Sequence, residues 1–186
     1  GGSGMSSLAL ALKNRGDDIS GSDRAYDAGN AAEKFETLKN QGFKLFAQDG
    51  SGVTADTDAL VVSSAVEETI PDVVKARELG LPIVTRAQLL AEFFNARNGI
   101  AVGGTSGKTT TTGMLGHILR QSGVDPTVIN GGVMLNYPDS LGTGSVLAGK
   151  SSFCVIEADE SDGSIELYKP AVSIVTSITL DHKPLE

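Results

Sequence analysis

The stretch Ile100-Ala101-Val102-Gly103-Gly104-Thr105-Ser106-Gly107-Lys108-Thr109-Thr110-Thr111-Thr112-Gly113-Met114 decides how the rest of the chain is read. An apolar, β-branched run enters a glycine-rich turn, which passes through Lys108 and Thr109 into a helical pattern. A strand, a glycine turn and a helix start in that order form a cradle for the phosphates of a nucleoside triphosphate. Backbone N–H groups of the turn point at phosphate oxygens, and the helix dipole favours their negative charge. Lys108 has the reach for the β- and γ-phosphates, and the Thr109 hydroxyl is placed to ligate magnesium. The expected nucleotide contacts are Gly104, Thr105, Ser106, Gly107, Lys108, Thr109 and Thr110. The general motif wants Gly at position 102, where this chain has Val102, so the match is to the shorter form G-T-x-G-K-T. A glycine-rich turn in an unrelated α/β protein is the competing reading, and the strand–turn–helix context argues against it.

Outward from this loop, strands and helices alternate. In the first half, strands are expected near 18–23, 43–46, 59–63 and 81–84, and helices near 6–15, 31–40, from Pro71 onward, and 88–95. In the second half, strands are expected at 100–102, 127–129, 153–156 and 172–176, with a helix over 109–121. Such alternation implies parallel sheets covered by helices. A polar, Gly-containing break at Asn95-Ala96-Arg97-Asn98-Gly99 places a domain boundary there. The expected architecture is α/β: a Rossmann-like parallel-sheet domain over 1–97, then a truncated P-loop-type ATPase domain over 98–186. The opening Gly1-Gly2-Ser3-Gly4-Met5 reads as a glycine turn ahead of the first helix. A dinucleotide-type turn follows a first strand, so that strand is expected to be missing. The alternative is a linker scar before an initiating Met5.

Composition narrows the function classes. The chain has 186 residues, 40% of them hydrophobic and 20% charged, as ordinary globular proteins do. A formal charge of −8 argues against nucleic-acid binding, which wants a basic face. With 5% aromatics and no Trp, there is little to stack on single-stranded bases either. No run approaches the ~20 apolar residues of a membrane span, and no secretory signal is present. The single cysteine, Cys154, lies in an apolar run that reads as a buried strand. A cytoplasmic protein, monomeric or weakly dimeric, is expected.

Three further constellations carry chemistry. Glu157-Ala158-Asp159-Glu160-Ser161-Asp162 follows an apolar strand, and carboxylates at the carboxyl end of a strand beside a phosphate loop anchor magnesium. Glu157, nearest the strand end, is the best candidate; a solvated acidic turn is the bland alternative. Thr179-Leu180-Asp181-His182 repeats the arrangement, with His182 a metal ligand, a general base or a surface residue. His117 reads as a helix-face residue. Asp23, at the end of the expected strand 18–23 (the second once the missing first strand is counted), is similar to the acidic residue that holds a ribose hydroxyl. Ser63 and Ser64 are equally well explained as a cap for the next turn.

Together with Ser20-Gly21-Ser22-Asp23, Val62-Ser63-Ser64-Ala65 and Asn130-Gly131-Gly132, these stretches resemble the Mur ligase family of ATP-dependent amide-forming enzymes of peptidoglycan assembly. The order and spacing are most similar to the branch that joins L-alanine to UDP-N-acetylmuramate. The ligase that attaches a recycled tripeptide to the same sugar shares most of them. Ser106 stands where the alanine-adding branch often has His, and Lys183-Pro184 where it usually has Met-Asp. The resemblance implies ATP and Mg2+ as cofactors, with UDP-N-acetylmuramate and an amino acid or peptide as partners. Under it, the first domain holds the UDP-sugar through Gly2, Ser3, Gly4, Met5, Asp23, Ser63 and Ser64. The second holds ATP, with Lys108, Glu157 and His182 catalytic and Thr109, Glu157 and His182 on metal. A substrate carboxylate attacks the γ-phosphate, and an amine then displaces phosphate from the acyl phosphate. Other superfamily ligases, such as the folylpolyglutamate type, start directly with the ATPase unit. A nucleotide-binding fragment that never catalyses is the remaining alternative.

Amide formation needs both substrates held in register, and the family's amino-acid-binding domain is absent from these 186 residues. The purified chain is therefore expected to make no UDP-N-acetylmuramoyl-alanine. Mass spectrometry of a reaction containing ATP, UDP-N-acetylmuramate and alanine checks this, and product would overturn it.

Overall fold

The computed structural model describes residues 3–63, 67–137, 144–159 and 163–179, and the chain divides into two units, Gly1–Leu89 and Leu90–Glu186. The first unit opens with α1 (Ser3–Arg15), which buries Leu8, Leu10, Ala11 and Leu12. Lys13 and Arg15 lie in its last turn, where cations complement the helix dipole. Gly16 follows at φ 111°, a left-handed stop that glycine adopts without strain. Ser3, Gly4 and Met5 thus stand in the first helical turn, where a free glycine turn was expected. Apolar spacing begins only at Leu8, so the sequence hides the earlier start.

After α1 come β1 (Ser20–Ser22), the short α2 (Arg24–Asp27), α3 (Ala32–Asn40) and β2 (Lys44–Phe46). β1 and β2 pair in parallel, and α3 buries Phe35 and Leu38 from one face. Then β3 (Leu60–Val62), α4 (Pro71–Glu78) and β4 (Ile83–Thr85) form a second parallel pair with its crossover helix. Pro71 occupies the first turn of α4, where its missing N–H leaves no intrahelical bond unmade. These are parallel α/β units, as the alternation implied.

The division between units falls inside α5 (Arg86–Asn95), ahead of the composition break at Asn95-Ala96-Arg97-Asn98-Gly99. The reason is packing: Phe94, fully buried, lies on the backbone of Gly99, and its ring meets Tyr168 edge-on at 5.5 Å. The polar stretch that reads as a linker begins on the last residue of α5, Asn95, and ends in β5 (Asn98–Gly103), which Asn98 and Gly99 open.

The second unit continues with α6 (Lys108–Gln121), β6 (Thr127–Ile129), β7 (Val146–Leu147), β8 (Phe153–Glu157), a 3-10 turn at Ser164–Leu167, and β9 (Val172–Val175). Strand order is β7-β6-β8-β5-β9, with β7 antiparallel and the others parallel. Val102, Val128, Met134, Leu147 and Val155 form the core, with Leu115 and Leu119 of α6 against it. α6 approaches β6 closely at Gly116, where a Cβ would stand 2.7 Å from Val128 Cγ2. Cys154 is fully buried in β8, and burial pushes its thiol up to about 12, slightly offset by the Arg97 charge. Among the described residues no helix is long and apolar enough to cross a membrane.

Gly99→Ala tests the packing at the start of β5. Its Cβ would lie 2.3 Å from Phe94 Cζ, and that ring has no room to retreat. Overpacking of this kind costs about 1–3 kcal/mol. Urea unfolding should show that loss, and an unchanged midpoint would refute the packing argument.

Candidate functional site

Parallel pairing sets the site. Val102 of β5 pairs with Glu157 of β8, and Gly103 of β5 pairs with Val175 of β9. The carboxyl ends of three strands therefore lie side by side, with the loop of residues 104–107 rising from the middle one. Gly104 has φ 122° and Gly107 φ 87°, left-handed values that glycine adopts freely. A Cβ on Gly104 would also lie 2.5 Å from Thr176 Oγ1 and 2.8 Å from Ser177 O. Gly107 is the N-cap of α6, with no side-chain cap bond, so the first N–H groups of that helix open onto the loop.

Residues just after β9 brace the loop. Thr176 Oγ1 lies 2.6 Å from the Ser106 carbonyl and 3.2 Å from that of Gly103. Ser106 N–H donates to Ser177 Oγ at 3.1 Å, and Thr105 N–H donates to Ser177 O at 2.9 Å. Thr179 N–H in turn donates to Thr105 Oγ1 at 3.1 Å. Sequence reasoning missed Thr176 and Ser177. Their one signal was a pair of short polar residues at the end of a strand next to the one that feeds the glycine-rich loop.

Lys108 Nζ donates to Gly104 O at 2.7 Å, so the ammonium is held over the loop rather than out in solvent. Thr109 Oγ1 donates to Glu157 Oε1 at 2.9 Å, and Gly131 N–H donates to Glu157 Oε2 at 2.7 Å. Gly131 also escaped the list of expected site residues, although Asn130-Gly131-Gly132 was part of the resemblance. Thr110 is exposed on the next position of α6. His117 Nδ1 lies 2.8 Å from the Tyr137 hydroxyl, which places it on the helix flank. His182, with Asp181, Glu160, Ser161 and Asp162, lies outside the described residues.

The donor set fits magnesium. Among the described residues no three His, Cys, Asp or Glu side chains gather into a protein cage. One hydroxyl and one carboxylate oxygen stand together at the mouth of the glycine-rich loop. Mg2+ is typically held in this way, by one or two carboxylates, phosphate oxygens and retained water.

In the first unit, Met5 and Asp23 line one cavity of about 100 Å³ with Ser6, Ser22, Tyr26 and Lys34. Asp23 caps α2, its Oδ1 accepting the Ala25 N–H at 2.8 Å. Capping therefore occupies one oxygen of the expected ribose contact. Ser22 Oγ donates to the buried Asp72, whose Oδ1 accepts the Gly50 N–H at 2.8 Å. Ser63 follows β3, half-buried, and does not line that cavity. Gly2 and Ser64 lie outside the described residues.

Comparison with known proteins gives a consistent picture. Residues 1–98 match the family described as "Mur ligase family, catalytic domain", and residues 102–183 match "Mur ligase middle domain". A UDP-N-acetylmuramate–L-alanine ligase of Geobacter sp. strain M21 is 43% identical over 98% of this chain and 37% of its own length. The ligase of that name from Agrobacterium fabrum is 41% identical over 98% of this chain and 36% of its own length. The chain thus spans well under half of these relatives. The crystal structure of the Thermotoga maritima UDP-N-acetylmuramate-alanine ligase superposes with a TM-score of 0.80 at 33% identity, over 98% of this chain and 40% of that one. The Neisseria meningitides UDP-N-acetylmuramate:L-alanyl-gamma-D-glutamyl-meso-diaminopimelate ligase gives 0.79 at 27% identity, over 98% and 59%.

Thr176→Val removes the loop-bracing hydroxyl and keeps the side-chain shape. A net loss of about 1 kcal/mol, or roughly fivefold in nucleotide affinity, is expected. Fluorescence titration with an ATP analogue reads it; affinity equal to wild type would show that the brace does not order the loop.

Proposed function

The chain belongs to the Mur ligase family, and from that premise we propose that it forms the nucleotide-handling part of an ATP-dependent ligase joining L-alanine to UDP-N-acetylmuramate in peptidoglycan precursor synthesis. The observation that carries this reading is the meeting of Lys108, Thr109 and Glu157 around one phosphate loop. ATP and Mg2+ are the cofactors under this reading. When bound, ATP supplies the phosphoryl group that turns the substrate carboxylate into an acyl phosphate, with ADP leaving; the amine then displaces inorganic phosphate.

The chain's own residues orient and neutralise. N–H groups of Gly107, Lys108, Thr109 and Thr110 would receive phosphate oxygens, those of Thr105 and Ser106 being engaged by Ser177, and Lys108 would turn from the Gly104 carbonyl to the transferring group. A fixed cation there lowers the energy of charge that develops during transfer. Thr109 and Glu157 hold Mg2+, and His182 is proposed, on the family resemblance, as contact for a second ion. For the UDP-sugar, the N-terminal turn of α1 offers N–H groups of Ser3, Gly4 and Met5 to the diphosphate, where unsatisfied helix donors favour anions. Gly2, Asp23, Ser63 and Ser64 complete the proposed sugar-nucleotide contacts. Asp23 supports this role less directly, because it also caps α2. A cytoplasmic location goes with this reading.

The likeness to the Neisseria enzyme, at a TM-score within 0.01 of the Thermotoga one, supports a second reading in which the amine comes from a peptide. The 40–43% identity to six alanine ligases favours alanine.

Lys108→Ala tests the core of the proposal. In the full-length parent it should abolish turnover while leaving UDP-N-acetylmuramate binding, followed by calorimetry, within twofold of wild type. Undiminished ATP turnover would sink the phosphate-loop assignment, and wild-type protein indifferent to UDP-N-acetylmuramate would sink the substrate.

A further inference from the structure

Glu157 commits its two carboxylate oxygens differently. Oε1 receives the Thr109 hydroxyl at 2.9 Å, on the side of the phosphate loop. Oε2 receives the Gly131 N–H at 2.7 Å, on the side of the segment that leaves β6. That N–H also lies 3.1 Å from Asn130 Oδ1, which holds the peptide in place. The register explains the meeting: Ile129, the last residue of β6, pairs with Ile156, so the residues after β6 run beside Glu157. Neither glycine has room for a side chain. A Cβ on Gly131 would stand 2.5 Å from Oε2 and 3.0 Å from Oε1, and one on Gly132 would stand 2.7 Å from Thr109 Cγ2.

We infer that Gly131 is a positioning and specificity-determining residue, whose N–H keeps Oε2 of Glu157 off the cation so that Oε1 alone serves it, favouring Mg2+ over Ca2+. The inference rests on the proposed nucleotide and magnesium reading of the site. Ca2+ takes six to eight oxygens in loose geometry and commonly uses both oxygens of a carboxylate. Mg2+ requires a small octahedral shell, keeps several waters and accepts single carboxylate oxygens. Turning both oxygens to a cation would pull Oε2 away from the fixed Gly131 N–H and weaken a charge-assisted hydrogen bond, whereas Oε1 is freed simply by rotation of the Thr109 hydroxyl. Gly131 thus penalises the calcium arrangement and leaves the magnesium one untouched. Gly132 serves the same end sterically, by letting Thr109 stay within reach of Oε1.

The test titrates a non-hydrolysable fluorescent ATP analogue into the 186-residue chain in EDTA, in Mg2+ and in Ca2+. Wild type, Gly131→Ala and the double variant Gly131→Ala/Glu157→Asp are compared. Wild type should bind more tightly with Mg2+ than with Ca2+. Gly131→Ala should lose 10- to 100-fold of the Mg2+-dependent affinity, the usual range for a residue that orients a ligand. Its affinity in EDTA should match wild type, which shows the loop folded, and its Mg2+ to Ca2+ preference should narrow. The double variant should regain part of the preference, because the shorter aspartate withdraws the carboxylate from the added Cβ. A Gly131→Ala chain with the wild-type ion preference overturns the inference and leaves the nucleotide reading standing. An equal loss in EDTA, or no recovery in the double variant, makes the effect structural and overturns it as well. A wild-type chain that ignores both metal and nucleotide overturns the site reading and the inference together.

Discussion

Parallel pairing of β5 with β8 on one side and β9 on the other is the constraint from which the site follows. The register opposes Val102 to Glu157 and Gly103 to Val175, so each strand releases its next residues at the same height. The backbone continues the lock beyond the strands: Ala158 N–H donates to Val102 O at 2.9 Å, and Thr176 N–H to Gly103 O at 3.0 Å. A one-residue slip would swing Glu157 to the opposite face of the sheet, because side chains alternate along a strand. Buried Val102, Val155 and Ile156 make such a slip expensive. The core thus holds a carboxylate, a hydroxyl and an ammonium around one loop without any of them contributing to the core itself.

What the sequence disclosed and what it concealed divide along a physical line. Local signals were legible: the glycine turn before Lys108, the apolar run ending in Glu157, and the Pro71 helix start. The strands β1 to β6, β8 and β9 each overlap a segment where the sequence predicts one, β1 (Ser20–Ser22) alone of these without an apolar run of its own. Partners across space were not legible. Nothing in Thr176-Ser177 announces that their hydroxyls grip Ser106, seventy residues or more away along the chain. β7 is two residues long and antiparallel, too short to leave a periodic trace. Gly99 reads as a linker glycine because its reason is an aromatic ring laid on it from α5. Position in the fold, not local propensity, explains each of these.

The first unit shows the same economy with polar groups. Asp72 is buried to 7% exposure, yet its oxygens accept from Ser22 and from the Gly50 backbone, so the charge is not orphaned. Its place in the first turn of α4 adds the favourable end of a helix dipole. One carboxylate therefore ties the end of β1 to the loop after β2 and to the start of α4. A buried carboxylate on one segment with partners on two others fixes their geometry more than it adds stability.

The four consecutive threonines Thr109–Thr112, which follow Lys108 at the start of α6, carry a consequence for motion. Each β-branched residue is a poorer helix former than alanine, and together they weaken the first turn by up to about 2 kcal/mol. Thr112 adds a fully buried hydroxyl with no hydrogen-bond partner among the described residues. The start of α6 is thus the softest part of that helix, held by its neighbours more than by its own sequence, while Gly116 clamps the middle against β6. Such an end frays in local openings that leave the sheet intact. Amide hydrogens of residues 108–111 would exchange faster than those from Leu115 onward, and a phosphate seated on the loop would quiet that end first. Occupancy is thereby written into the dynamics of a single helical turn, with no displacement of the fold.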